Sequence, residues 1–115
     1  MDKNKLLLAT TVEHQFFDDT TVKCTLAMFQ LKRLASKDKS LYKCVTKVLA
    51  NGTEDIFEQI RAVYAAYVCA NMDSDELMSE DEFTMMCGSD YAGVAETLGA
   101  LINPKKRTAS ENRSD

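Results

Sequence analysis

The sequence TEDIFEQIRAVYAAYVCANMDSDELMSEDEF, at residues 53–83, decides the fold of this chain. Its first part predicts a long helix capped by Thr53, with a main apolar stripe formed by Ile56, Ile60, Val63, Tyr64, Tyr67 and Val68. A second face of this helix carries small residues, which allow another helix to pack closely: Ala62, Ala65, Ala66 and Ala70. After an acidic connection, Ser79 and Glu82 match the S-x-x-E capping box, which predicts the start of a further helix.

The acidic connection between these two helices has two interpretations. In the first, residues 71–82 form a calcium loop of the EF-hand type, with oxygen ligands at Asn71, Asp73, Asp75, Ser79 and Glu82. Such a loop requires glycine at its sixth position, where this chain has Glu76, and no partner loop occurs elsewhere in the sequence. In the second interpretation, which the sequence favours, the connection is an ordinary acidic loop that ends in a capping box.

The flanking sequences extend this pattern to about five helices. From Thr21 to Ala35, two rows of apolar residues predict a central, well-buried amphipathic helix. Residues Lys39 to Ala50 predict a second helix, which ends at the following Asn-Gly pair because glycine adopts the left-handed conformation without penalty. Gly88 ends the fourth helix, and Ser89 or Asp90 caps a fifth, whose predicted inward residues are Tyr91, Val94, Ala95, Leu98, Leu101 and Ile102.

The two ends of the chain differ from this helical centre. Weak alternation of apolar and polar residues from Thr10 to Phe17 predicts a short strand or hairpin. Pro104 prevents the fifth helix from continuing, and the polar sequence after it predicts disorder. The sequence therefore predicts a mainly α protein: a compact bundle of about five helices in one domain at residues 1–103, with a short N-terminal strand or hairpin and a disordered basic and polar tail at 104–115.

Length and composition narrow the class of protein. The chain has 115 residues, of which 45% are hydrophobic, and this suits one globular domain with a single core. No apolar run approaches the roughly 20 residues that a membrane helix needs. The run Leu6-Leu7-Leu8-Ala9 is also too short for the apolar core of a signal peptide. We therefore expect a protein that stays in the cytoplasm and has no membrane partner.

The residues that commonly carry chemistry do not form a recognisable site. Four cysteines (Cys24, Cys44, Cys69 and Cys87) are too far apart for a C-x-x-C metal pair, and His14 is the one histidine. Each cysteine lies beside aliphatic residues in a helical pattern, which favours reduced core thiols over disulfides. Nothing local suggests that the fold brings a thiol to His14 for nucleophilic catalysis. The prediction is a protein that is not an enzyme, without catalytic residues, metal ligands or cofactor.

The charges are distributed unevenly although the net charge is only −4. Seven basic residues and one acid lie between Lys23 and Lys47, whereas seven acids and no base lie between Asp73 and Asp90. Such asymmetry can steer assembly between copies or with partners. The lysines are spread around two predicted helices, with only Tyr42 as an interleaved aromatic residue, so a solvated face is favoured over a nucleic-acid surface.

The order of these elements resembles the tail assembly chaperones of long-tailed bacteriophages, particularly those of phages and prophages in Gram-positive hosts. The resemblance covers Phe16 to Lys106 and rests on four segments: VKCTLAMFQLKRL at 22–34, TEDIFEQIRAVYAAYVCAN at 53–71, SEDEF at 79–83 and ALINPKK at 100–106. It implies a small helical protein that coats the apolar-rich tape measure protein in the host cytoplasm and keeps it soluble. Such a protein would also help to recruit tail tube subunits and would be absent from the mature virion.

Many members of this family carry a programmed ribosomal frameshift near the end of the gene, which fuses a fraction of the copies to a second domain. Pro104-Lys105-Lys106 fits that expectation, because lysine codons can form the A-rich heptamer on which ribosomes slip. A basic, solvated tail explains the same residues equally well.

A chaperone of this kind needs a surface that accepts amphipathic helices without high specificity. Methionines near the acidic loop (Met72, Met78 and Met85) supply adaptable apolar contacts, although methionine at helical spacing also fills cores. The N-terminal apolar residues are a second candidate surface, for a partner or for self-association: Leu6, Leu7, Phe16 and Phe17. The sequence thus predicts a phage tail assembly chaperone; the alternatives are a single-loop calcium-binding protein and a small helical adaptor without an ion.

Overall fold

The structure, a computed structural model, describes residues 10–103 of the chain. The described part begins with a hairpin of two strands, β1 (Thr11–Gln15) and β2 (Thr21–Thr25). Five helices follow: α1 (Met28–Lys37), α2 (Lys39–Asn51), α3 (Ile56–Ala70), α4 (Glu80–Cys87) and α5 (Tyr91–Ile102). The prediction of a mainly helical fold with a short N-terminal hairpin is confirmed. The predictions for Leu6, Leu7 and the tail at 104–115 lie outside the described residues.

The hairpin takes over part of a segment that the sequence predicted to be helical. The strands are antiparallel, with Thr11 opposite Thr25 and Gln15 opposite Thr21. The predicted helix at 21–35 is therefore wrong in its first part, because residues 21–25 form β2 and α1 begins only at Met28. Val22 and Cys24 lie two residues apart and therefore share one face of a strand, whereas on a helix they belong to two separate rows, and the β-branched residues around them favour the strand once β1 pairs with it.

Helix α3 occupies the centre of the molecule, the place predicted for the helix at 21–35. It packs against β2 and against all four other helices. Its predicted face of small residues is confirmed, since Ala62, Ala65 and Ala66 have no exposed surface. By contrast, α1 buries only Gln30 and Leu34 and leaves its first two residues exposed.

The helix ends follow local capping chemistry. The capping box at Ser79 is confirmed: its hydroxyl accepts a hydrogen bond from Glu82 N, and the Glu82 carboxylate accepts one from Ser79 N. Asp90 caps α5 as predicted, by accepting from Gly93 N. The cap of α3 is Asp55 and not Thr53, because the Asp55 carboxylate accepts from Phe57 N and Glu58 N.

Two glycines end helices with positive φ angles, which side chains disfavour. Gly52 follows α2 with φ 69°, and Gly88 follows α4 with φ 59°. Both helix ends were predicted at these glycines, and both are confirmed.

The core is one cluster in which the hairpin, α3 and α4 meet at Phe83. This side chain is fully buried. Four aromatic rings surround it, with centroid distances of 5.2 Å to Phe16, 5.4 Å to Tyr67, 5.5 Å to Tyr64 and 5.9 Å to His14. Helix α5 closes the core with Val94, Leu98 and Leu101, whereas Tyr91, Ala95 and Ile102, which were predicted to face inward, are exposed. Within residues 10–103, no helix is long and apolar enough to cross a membrane.

Candidate functional site

The fold places a thiol beside the one histidine, contrary to the expectation from the sequence. Cys87 Sγ lies 3.9 Å from His14 Nε2, and a hydrogen bond of 2.7 Å joins His14 Nδ1 to Thr97 Oγ1. These residues come from α4, β1 and α5, and all three side chains are buried. The Cys–His contact was not foreseeable, because 73 residues separate the two side chains in sequence.

The protonation states of this pair do not suit a nucleophile. Burial lowers the pKa of His14, an effect that the charge of Asp90 partly opposes. Burial, together with the smaller effect of the Asp90 charge, raises the pKa of Cys87 to about 11. A reactive cysteine needs a lowered pKa and some exposure, whereas this thiol and this imidazole are both buried and neutral near pH 7. The pair therefore forms a polar part of the core, and the stacking of His14 on Phe83 fixes its position.

Four of the five candidate ligand side chains in the acidic loop, those of Asn71, Asp73, Ser79 and Glu82, already have structural partners. Asn71 Nδ2 donates to Lys23 O and Tyr67 O, so the Asn71 amide holds the end of α3 against β2. Asp73 pairs with Arg33 of α1 at 2.9 Å, and Glu82 belongs to the capping box. Within residues 10–103, no three His, Cys, Asp or Glu side chains come together as a metal-ligand set. These contacts support the interpretation of the loop as a capped connection.

Three of the predicted contact residues pack into or against the core. Phe16 and Met72 are buried, and Met78 is half-buried against the same cluster. The backbone of Met78 is also fixed to α3, since Tyr64 Oη donates to Met78 O and Met78 N donates to Tyr67 Oη. The prediction is revised for these residues: they fill the core and fasten the loop, and a partner does not reach Phe16 or Met72 in this conformation.

The two other contact candidates in the described part, Phe17 and Met85, are exposed, and the turn that carries Phe17 lies against the helix that carries Met85. Phe17 is 66% exposed and Met85 is 75% exposed. The hairpin turn that carries Phe17 lies against the end of α4, because Phe17 N donates to Met86 O at 3.2 Å. A methyl group added to Gly88 would lie 3.4 Å from Phe17 Cβ, an ordinary van der Waals distance, so the turn packs directly beside the glycine that ends α4. We call Phe17, Met85 and the half-buried Met86 the Phe17–Met85 surface.

The turn holds Phe17 in one position. Phe16 N donates to Thr20 O, and Asp19 N donates to Phe16 O, which closes the turn with Asp19 at φ 70°. The Asp18 carboxylate accepts from both the N–H and the hydroxyl of Thr20, and these bonds lower the pKa of Asp18. A preformed contact loses little conformational entropy when a partner binds.

The surroundings of the Phe17–Met85 surface are acidic. Asp18 and Asp19 flank Phe17, and Asp81 lies one turn before Met85 on α4, where residues four apart share a helix face. Neither residues 16–22 nor residues 72–91 include a lysine or arginine. The arrangement therefore suits a partner that combines apolar side chains with positive charge.

Other exposed aromatic residues were not predicted as contacts. Phe29 was assigned to a buried helical face, but it lies on the outside of the shorter helix α1. Phe57, 70% exposed, lies beside Lys43 and Lys47 in a shallow groove between α2 and α3. The sequence feature that could have identified Phe57 as exposed is its position next to Ile56 but off the apolar stripe of α3.

Comparisons of this chain with known protein families, curated proteins and solved structures found no match.

Proposed function

We propose that this protein is a tail assembly chaperone of a long-tailed phage, which binds the tape measure protein, keeps it soluble in the host cytoplasm and helps to recruit tail tube subunits. It would act by reversible binding without catalysis and would be absent from the mature virion. The sequence support is the resemblance between residues 16 and 106. The structural observation that carries the proposal is the Phe17–Met85 surface, an exposed apolar contact presented on a fixed turn.

The size of this surface suits weak, repeated contacts. Full burial of a Phe or Met side chain contributes about 1.5–3 kcal/mol, so two side chains that are 66% and 75% exposed offer roughly 3 kcal/mol together. A free energy of about 4 kcal/mol corresponds to millimolar affinity, so one copy would bind a single apolar helix weakly. Many copies on one long, repetitive partner would gain avidity without any tighter single contact.

Co-expression with the cognate tape measure protein tests the proposal. We expect the tape measure protein to be soluble with the wild-type protein and to aggregate without it. The double variant Phe17→Ser with Met85→Ser should lose this effect. The control Phe57→Ser removes an aromatic side chain of similar exposure from a basic region, and it should keep the effect. A tape measure protein that is equally soluble with and without this protein would refute the proposal and leave the adaptor alternative.

The gene supplies a separate test. A slippery heptamer at the codons for Lys105 and Lys106, followed by an overlapping open frame, is expected if the chain is one product of a frameshifted pair. Ordinary codons with no overlapping frame would remove this support and would leave the co-expression result to decide.

A further inference from the structure

A cleft of about 700 Å³ lies between β1 and α5, away from the Phe17–Met85 surface. The strand contributes Val12, Glu13, His14 and Gln15, and the helix contributes residues along its whole length, from the Asp90 cap to Asn103. No residue of β2 lines it, so the cleft opens on the side of β1 that faces away from its partner strand. The geometry points to a binding site for an extended, basic segment of a partner protein, which would add a third strand to the hairpin.

The outward backbone groups of Glu13 and Gln15 on β1 are the first argument. Phe16 N donates to Thr20 O, and hydrogen-bonded pairs alternate along an antiparallel ladder, so His14 and Val12 direct their backbone N–H and C=O groups toward β2. The same groups of Glu13 and Gln15 then point away from β2. Within residues 10–103, no hydrogen bond outside the ladder satisfies them. Unpaired edge groups of this kind are the template on which extended peptides bind by strand addition.

The dimensions of the cleft fit one strand. The five residues of β1 span about 17 Å, and the twelve residues of α5 span about 18 Å, so strand and helix border a cleft of matched length. Small residues of α5 line its wall at Gly93, Gly99 and Ala100, which leaves room for the backbone of an incoming strand. The bond between His14 and Thr97 fixes the two sides relative to each other.

The charge of the cleft selects the partner. Among residues 10–103, three acids line it, Glu13, Asp90 and Glu96, and no lysine or arginine does. A second copy that paired its own β1 antiparallel about the strand centre would place Glu13 opposite Glu13, and like charges directly opposite each other destabilise a sheet. A segment with Lys or Arg on the side chains that face the cleft gains attraction instead.

The test uses a seven-residue peptide in which Thr and Val alternate with Lys, added to the full-length protein and followed by amide hydrogen exchange. We expect slower exchange at the outward amides of Glu13 and Gln15, with no change at His14, whose amide already faces β2. A peptide with Glu in place of Lys, and a Lys peptide N-methylated at alternate amides, should not give this protection. Glu96→Lys should weaken the Lys peptide about tenfold, whereas Asp75→Lys, the same charge change on the exposed acidic loop, should leave binding nearly unchanged.

Several outcomes would overturn this site. Equal binding of the Glu peptide would exclude selection of a basic partner by charge. Equal binding of the N-methylated peptide would exclude strand addition, and so would protection elsewhere without protection at Glu13 and Gln15. The chain has basic residues of its own at 105–107, which could compete with the added peptide for the cleft. The full-length variant with Lys105→Gln, Lys106→Gln and Arg107→Gln is the control for this competition. Binding that occurs only in this variant would mean that the chain's own basic segment competes for the cleft, and a partner would not be its occupant. None of these results depends on the tape measure protein, so this site and the proposed function can fail separately.

Discussion

Replacement of Phe83 by alanine tests the packing on which the Phe17–Met85 surface and the cleft between β1 and α5 both depend. Phe83 is the fully buried residue where α4 meets the hairpin and α3, and it contacts the rings of Phe16, His14, Tyr64 and Tyr67. The cavity left by its removal would be bordered by four rings, two from the hairpin and two from α3. Because Phe17 N donates a hydrogen bond to Met86 O of α4, loosening α4 would also disturb the Phe17–Met85 surface.

The expected loss of stability follows from burial and ring contacts. A Phe→Ala change in a core costs about 3–5 kcal/mol, and aromatic pairs add about 0.5–1.5 kcal/mol each when they are lost. With four ring neighbours, we expect Phe83→Ala to lower the free energy of unfolding by about 5 kcal/mol, the upper end of that range. Domains of this size are stable by about 5–15 kcal/mol, so the variant would be marginal or unfolded at room temperature.

Urea denaturation followed by far-UV circular dichroism measures this loss. Phe57→Ala, at a side chain that is 70% exposed, is the matched control and should change the free energy of unfolding by no more than about 0.5 kcal/mol. If Phe83→Ala does not fold, Phe83→Leu should still show a loss of about 1–2 kcal/mol. If Phe83→Ala and Phe57→Ala unfold at the same urea concentration, α4 does not pack on the hairpin as described.

Three further predictions concern the cap, the histidine and the thiols. Ser79→Ala removes the capping-box hydroxyl and should lower the free energy of unfolding by about 1 kcal/mol, whereas Ser79→Asp should retain most of the capping energy. In calorimetry, a heat of calcium binding that Glu82→Ala abolishes would instead support the calcium loop. Because the pKa of folded His14 lies below 6.5, the unfolded chain binds the extra proton in acid, so stability should fall as the pH drops from about 7 to about 5. His14→Gln, which cannot titrate, should flatten this slope in urea titrations, and an unchanged slope would assign it to other groups. Since burial raises the pKa of Cys69 to about 12 and that of Cys87 to about 11, half-buried Cys44 should react first with a thiol reagent, and equal rates for Cys44 and Cys87 would contradict the described core.

Local chemistry made much of the helical architecture predictable. The period of apolar residues and the alanine face identified α3, and the S-x-x-E pattern located the start of α4. The sequence was less decisive where two local solutions compete. Thr53 and Asp55 are both good caps, and the structure uses both: Asp55 caps α3, while the Thr53 hydroxyl accepts from Asp55 N and donates to Glu58. Val22 and Cys24 fit one face of a strand or two separate rows of a helix, and only pairing with β1 decides between them.

The parts that could not be predicted depend on contacts distant in sequence. Phe16 and Phe17 are identical residues side by side: Phe16 continues the inward row of His14 just past the end of β1 and is buried, whereas Phe17 lies in the turn and is exposed. The approach of Phe17 to the end of α4, and of Cys87 to His14, requires the hairpin to dock on helices far along the chain. The exposed residues could be proposed from sequence one by one, but the docking of the turn that carries Phe17 on the end of α4 could not.

The distribution of acidic residues explains how the domain can expose both an apolar contact and an open strand edge. Each feature alone favours association of copies, through burial of apolar area or pairing of edges. Asp18, Asp19 and Asp81 surround the first, and Glu13 and Glu96 line the second. When the same face of two copies meets, these charges repel, whereas a basic partner gains attraction from them. In the proposed complexes, the charges that weaken pairing of like faces would also select a basic partner, so that one set of residues would supply both the attractive and the repulsive part of specificity.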